Sequence, residues 1–328
     1  MDFRIAFYPK AKGVNDYTKN FSNILSSIGK VYEYDTKFEI FSFLNFNRNR
    51  YNLTIVNWLE SDLIDMEGKV TVKNICKTFI KLLLINIRSE KVFYVKHNFY
   101  PHEINVTNIE KAKKWMHILV KYCDYGIVHS PIAADAYYKY VPHPLYSKPL
   151  VSVASPHMQT NTFIAFGRIV PYKRLERLIE IFPLGKKLLV AGGYEDTRYI
   201  DELKEISPSN VTVMAGFIND DDARKLIAST EGVIISHSDP DMIVSGSFFY
   251  ALSMGARVIS VQTPFLKWAE SVLGKNVVVC FESVTDMCEG LSKIPNFIPY
   301  DEETVNNIMN LFGDDVIKEK LISFIDKK

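Results

Sequence analysis

Short apolar runs alternate with helical-period segments along the whole chain. Phe3 to Phe7 is an apolar run. After a loop from Tyr8 to Tyr17, Phe21, Ile24, Leu25 and Ile28 recur at helical spacing. Leu53 to Val56, Val92 to Val95 and Tyr125 to Val128 read as further strands. Their polar endings are Asn57-Trp58-Leu59-Glu60, His97-Asn98 and His129-Ser130. Phe163 to Phe166, Leu188 to Ala191, Val233 to Ser236 and Arg257 to Val261 are strands of the second half. Helical patterns open at Leu175 and at Ser245, the latter stopping at Gly255. A last helical pattern covers residues 301–326, through Val305, Ile308, Met309 and Phe312 and then Val316 to Ile325. Strands alternating with helices predict an α/β fold built on doubly wound parallel sheets.

At 328 residues the chain exceeds one ordinary core, and 47% hydrophobic content is ample for two. The Pro-rich stretch from Val141-Pro142-His143-Pro144 to Pro156 has no strand or helix period and reads as a linker. The expected organisation is a domain over 1–150, a second over 151–300, and helices over 301–328 that cross back to the first. No repeat or low-complexity tract stands out. No run of 18 apolar residues is present, and the first residues read as a strand, not a signal peptide. Cys76, Cys123, Cys280 and Cys288 lack zinc-site spacing, so free thiols in a reducing cytoplasm are expected.

Charge divides the chain. Residues 1–150 carry 21 Lys and Arg against 14 Asp and Glu, a net +7, and the remainder carries 18 against 24, a net −6. A basic half suits an anionic partner. No nucleic-acid motif accompanies it, so an anionic membrane surface or a lipid diphosphate fits better. Two basic, apolar helices could meet such a surface: residues 73–91 with Lys73, Lys77, Lys81 and Arg88, and residues 110–122 with Lys111, Lys113, Lys114 and Lys121 around Trp115. The alternative is that both simply cover a sheet.

The densest chemistry lies at residues 163–193. The run Phe163 to Phe166 breaks at Gly167, followed by Arg168 and Lys173, and Leu188 to Ala191 runs into Gly192 and Gly193. Two fixed cations at the carboxyl end of a parallel strand suit a diphosphate. Ser245-Gly246-Ser247 adds backbone N–H groups, hydroxyls and a helix dipole. Strand-Gly-Arg-x4-Lys, then Ala-Gly-Gly, then Ala-Leu-Ser-Met-Gly-Ala-Arg-Val-Ile-Ser resembles the donor half of GT-B glycosyltransferases. The family-four group that builds bacterial polysaccharides is the most similar, over roughly residues 160–285. The resemblance implies two Rossmann-like domains facing a cleft, the N-terminal one for the acceptor and the C-terminal one for a nucleotide sugar. It implies donor binding by Gly167, Arg168, Lys173, Gly193, Ser245, Gly246 and Ser247, with Phe217 bordering the base. Retaining members of that group carry Glu-x7-Glu, and here the two positions are Met242 and Tyr250. Both carboxylates are missing, and the Ser-Gly-Ser form resembles a divergent subgroup associated with inverting, β-forming transfer.

Inversion needs a base for the acceptor hydroxyl. Glu60, His97 and Glu103 are the catalytic candidates, with Asp16 behind them. His97 is alternatively a donor-sugar ligand. Asn15, Tyr17, Trp58, Asn98 and His102 are expected on the acceptor, Trp58 by stacking on a sugar face. Asp239-Pro240-Asp241 imitates a metal motif, but Arg168 and Lys173 offer the neutralisation a metal would, so none is expected. The resulting expectation is a UDP-sugar-dependent transferase, peripheral at the cytoplasmic face of a bacterial membrane. It would extend a polyprenyl-diphosphate-linked oligosaccharide of O-antigen, capsule or exopolysaccharide. The rival readings are a non-catalytic sugar-nucleotide-binding partner subunit, a nucleotide-sugar epimerase and a phosphorylase-like enzyme.

Overall fold

A computed structural model of the chain describes residues 3–9, 16–34, 50–101, 104–149, 160–238 and 243–326. Two compact units divide it. The first is built chiefly from Met1–Pro144 and Asp314–Lys328, the second from Leu145–Pro240 and Val244–Gly313. The chain therefore passes between units at Pro144–Leu145, inside the Pro-rich stretch, and again at Gly313–Asp314.

The first unit holds β1 (Arg4–Tyr8), β2 (Lys30–Glu33), β3 (Tyr51–Asn57), β4 (Ser89–Lys96), β5 (Tyr125–Val128) and β6 (Tyr138–Tyr140). All pair in parallel, in the order β2-β1-β3-β4-β5-β6. Helices α1 (Asp16–Ser26), α2 (Val72–Arg88) and α3 (Ile109–Leu119) supply crossovers. Side chains alternate across the sheet as the strand period requires. Leu53, Ile55, Phe93 and Val95 face a core with Phe21 and Leu25 of α1. Val56, Val92 and Tyr94 face the other core, against Leu82, Ile85 and Met116.

The second unit holds β7 (Thr162–Phe166), β8 (Lys187–Gly192), β9 (Val211–Ala215), β10 (Val233–Ile235), β11 (Val258–Val261) and β12 (Val278–Phe281). Their order, β12-β11-β10-β7-β8-β9, is the Rossmann order, with its switch between β7 and β10. Covering helices are α4 (Leu175–Glu180), α5 (Thr197–Glu205), α6 (Asp220–Ala228), α7 (Gly246–Ser253), α8 (Pro264–Leu273), α9 (Val284–Gly290) and α10 (Glu302–Phe312). Ile164 packs with Phe248, Phe249 and Phe265 on one face, and Phe163 with Leu178 and Leu203 on the other. The last pattern resolves into two helices. Helix α10 buries Val305, Ile308 and Phe312 in the second unit. Helix α11 (Asp314–Ile325) buries Ile317 and Leu321 against the first, where the Lys91 ammonium donates to the Ile325 carbonyl.

Helix α2 departs from the expected cationic stripe. Lys81 and Arg88 are buried, and Lys81 pairs with Asp62 at 2.5 Å, its other partner being the Tyr8 hydroxyl. The exposed stripe is apolar: Val72, Phe79, Ile80, Leu83 and Ile87, beside Lys73 and Lys77. Among the described residues no helix is long and apolar enough to cross a membrane.

Candidate functional site

In the second unit the switch-point loops build a cationic recess. Gly167 follows β7 with φ +110°, and Gly192 at the end of β8 has φ +144°, both left-handed values that favour glycine. A methyl on Gly192 would lie 2.1 Å from the Gly167 carbonyl oxygen, so the two turns touch through backbone. A methyl on Gly167 would lie 3.2 Å from Lys173 Nζ and 3.5 Å from Ser247 Oγ. The amine and the hydroxyl thus converge on this turn. Ser236, just after β10, donates its hydroxyl to the Lys173 carbonyl at 2.9 Å and ties the two loops together. Ser245 precedes α7 and its side chain makes no capping hydrogen bond to the first-turn N–H groups. Burial, reinforced by Arg168, lowers the Lys173 ammonium to about 8.

Arg168 and Lys173 are not equivalent. The Arg168 guanidinium lies in solvent, 3.2 Å from the equally exposed Glu195 carboxylate. An exposed pair of this kind is worth about 0–1 kcal/mol, so an anionic ligand displaces Glu195 readily. Gly193 has open space where a side chain would stand. Phe217 is 86% exposed and lines a cavity of about 490 Å³ with Met214, Asn219 and Leu226. Tyr250 stacks on Phe166 at 5.1 Å and donates its hydroxyl to Asp220 at 2.9 Å.

In the first unit the ends of β3, β4 and β5 bring together Asn57, His97 and His129. His97 Nε2 lies 3.1 Å from Asn57 Oδ1, and Asn57 Nδ2 donates to the Tyr8 carbonyl at 3.0 Å. His129 Nδ1 donates to the Val141 carbonyl at 2.9 Å, and its Nε2 meets the Tyr17 hydroxyl at 2.9 Å. His143 joins them 5.2 Å from His129, ring to ring. Burial holds all three imidazoles below the ordinary histidine range, His129 at about 4, and His97 is lowered further by the two others. Trp58 adopts the left-handed conformation (φ 49°) and stacks on His97 at 4.5 Å, 15° between planes. Outside active regions such a conformation is uncommon for a bulky residue.

Two expected roles are corrected here. Glu60 is 1% exposed; its Oε2 accepts from the Tyr94 hydroxyl at 2.8 Å, on the β4 face away from the imidazole cluster. Its other oxygen has no hydrogen-bond partner among the described residues. A base must exchange its proton with solvent or substrate, and this carboxyl is shut off from solvent and turned into the core. Tyr17 is also buried, and its hydroxyl braces His129 instead of meeting an acceptor. Asp16 opens α1, one residue before Tyr17, and Asn98 is half-buried beside His97. Asn15, His102, Glu103, Asp239, Asp241 and Met242 lie outside the described residues. Asn57 and His129 belong to the cluster, and their place at strand ends was the signal for them. His143, in a segment without period, had none.

Burial raises the Glu60 carboxyl to about 7. A raised folded value means that the folded state holds the proton, so stability is fullest below the unfolded value near 4.5 and declines as pH rises through 7. Glu60→Gln should therefore raise the melting temperature at pH 8 and change it little at pH 5. Equal shifts at both pH values would contradict this assignment.

No protein-family model matches the chain, and no curated protein matches its sequence. Solved structures match over nearly the whole length. HepE from Anabaena, solved in complex with UDP and glucose, superposes with a TM-score of 0.63 at 13% identity, covering 98% of this chain and 99% of that one. The chain has the GT-B fold. AviGT4, a glycosyltransferase of avilamycin A biosynthesis, gives 0.58 at 13% identity, with 98% and 97% covered. T4 phage BGT, solved with UDP and Mn²⁺, gives 0.53 at 11%, with 99% and 100% covered. Identities this low establish the GT-B architecture of two Rossmann-like units and leave activity to the residues themselves.

Proposed function

We propose that the protein is a glycosyltransferase that takes a sugar from a nucleoside-diphosphate donor, UDP-linked in the first instance. The observation that carries this reading is the convergence of Lys173, Ser247 and the α7 N-terminus on the Gly167 turn. A half-buried ammonium, a hydroxyl and the N–H groups of a helix N-terminus at a Rossmann switch point suit a diphosphate and stabilise it as it leaves. The open cavity beside Phe217 offers the base a stacking face. The first unit supplies the acceptor side, where Trp58 and His97 at the strand ends offer an aromatic surface and a neutral imidazole. Inversion at the anomeric carbon is the matching stereochemistry, since Tyr250 stands where retaining relatives carry a carboxylate. Lys173 and Arg168 neutralise the leaving group, so the reaction needs no metal.

The acceptor class we favour is lipid-linked saccharide of bacterial surface polysaccharide, taken up at the cytoplasmic membrane face. Its support is the exposed apolar stripe of α2 with Lys73 and Lys77 beside it, the composition of an interfacial helix. Labelled UDP-sugars incubated with bacterial lipid extract, with and without EDTA, test the whole reading. Transfer to the lipid fraction that survives EDTA and yields a β-linkage from an α-donor is expected. Binding without turnover would make the chain a sugar-nucleotide-binding partner, and loss of transfer in EDTA would return a metal to the site.

A further inference from the structure

The hydrogen-bond chain at the end of β3 fixes more than position. The Tyr8 carbonyl can only accept, so the atom of Asn57 that faces it is the amide nitrogen. Asn57 Oδ1 then faces His97 Nε2 at 3.1 Å, and an amide oxygen can only accept. The proton of the neutral imidazole must therefore sit on Nε2. We propose that Asn57 is a positioning residue that locks His97 as the Nε2–H tautomer, so that Nδ1 is the acceptor presented to a sugar hydroxyl.

The surroundings enforce the same state. Among the described residues the rings packed on His97 are uncharged: Trp58 is stacked at 4.5 Å, Tyr17 meets it edge-on at 4.8 Å, and His129 lies at 5.5 Å. His129 is itself committed. Its Nδ1–H serves the Val141 carbonyl, so Nε2 is the acceptor for the Tyr17 hydroxyl. His143 Nδ1 likewise serves the Pro144 carbonyl at 2.7 Å. Each of these imidazoles thus has its tautomer set by a fixed acceptor: a backbone carbonyl for His129 and for His143, the Asn57 side chain for His97. None of these neighbours is a carboxylate that could hold a second proton on the ring. The site therefore offers a sugar hydroxyl a neutral acceptor through the whole neutral pH range.

The inference rests on the transferase reading for its sugar hydroxyl, but the tautomer is measurable on the free protein. Nitrogen-15 spectra of the imidazoles at pH 7 should show His97 with Nε2 protonated and Nδ1 bare. In Asn57→Asp a carboxylate replaces the amide and holds a second proton, so Nδ1–H appears at pH 7. Transfer should then fall about tenfold or more at pH 7, recover as pH rises, and keep its donor KM. A merely structural role would give no such recovery. A wild-type His97 with Nδ1 protonated overturns the proposal, whether or not the variant folds. So does an Asn57→Asp protein whose His97 spectrum and kcat match wild type. Absence of turnover in wild type would instead fail the transferase reading, leaving the tautomer result to stand.

Discussion

Lys173→Met should weaken UDP binding by about 10- to 100-fold while the protein keeps its fold. The methionine retains the aliphatic stem and removes only the charge, and a hydrogen bond to a charged group contributes about 1.5–3 kcal/mol. The tie between the two loops does not depend on the ammonium, since Ser236 bonds the backbone carbonyl of this residue and not its side chain. Arg168→Ala should weaken binding less, because Arg168 must first leave Glu195. The same lysine sets a pH dependence. With its ammonium at about 8 in the free protein, it is charged at pH 7 and mostly neutral at pH 9. Affinity for UDP should accordingly drop about tenfold between those values, one pH unit beyond the midpoint being a factor of ten. In Lys173→Met that pH dependence should vanish. Calorimetry across pH on both proteins checks the ranking and the slope together.

His97→Ala should lower the transfer rate by about 10²–10⁴ with UDP affinity unchanged, the range for loss of a group that handles a proton in the transition state. On the proposed function His97 acts from the first unit and the diphosphate site lies in the second, so kcat and donor binding should separate. Burial and the neighbouring imidazoles hold His97 below the ordinary histidine range. The wild-type rate should then stay level from pH 8 down to pH 6, because the ring remains unprotonated throughout. A rate that halves near pH 6.5 would indicate an ordinary, solvated histidine. Single-turnover kinetics on wild type and variant supply both readings.

The inner strands of both sheets were legible in the sequence because helices cover both faces, which makes each a continuous apolar run. The four strands that the periodicity leaves out, β2, β6, β9 and β12, are the four sheet edges. Lys30–Glu33, Tyr138–Tyr140 and Val211–Ala215 mix polar and apolar positions, as strands with one open side do. Val278–Phe281 is apolar throughout, and its omission has no such reason. The loop from Gly167 to Lys173 was legible because a Gly-rich break between strand and helix, followed by cations, is a local pattern. What separated Lys173 from Arg168 was tertiary: one converges with Ser247, and the other reaches solvent. Glu60 was misread for a geometric reason. The left-handed Trp58 starts a 3-10 turn, Leu59–Leu63, which rotates the carboxyl onto the Tyr94 face. A residue that looks like a strand-end acid in the sequence is thereby folded into the core. The imidazole cluster needed three strand ends and the start of α1, a set scattered from residue 17 to residue 143 that only the fold assembles.

On the proposed function the Gly167 turn, Lys173 and the α7 N-terminus form a diphosphate site. Calorimetric titration of the wild-type protein with UDP, UMP and uridine at pH 7 tests it most directly. UDP should bind at least tenfold more tightly than UMP, and UMP more tightly than uridine, because the phosphates contribute charge-assisted bonds. Equal affinity for UDP and uridine would contradict it.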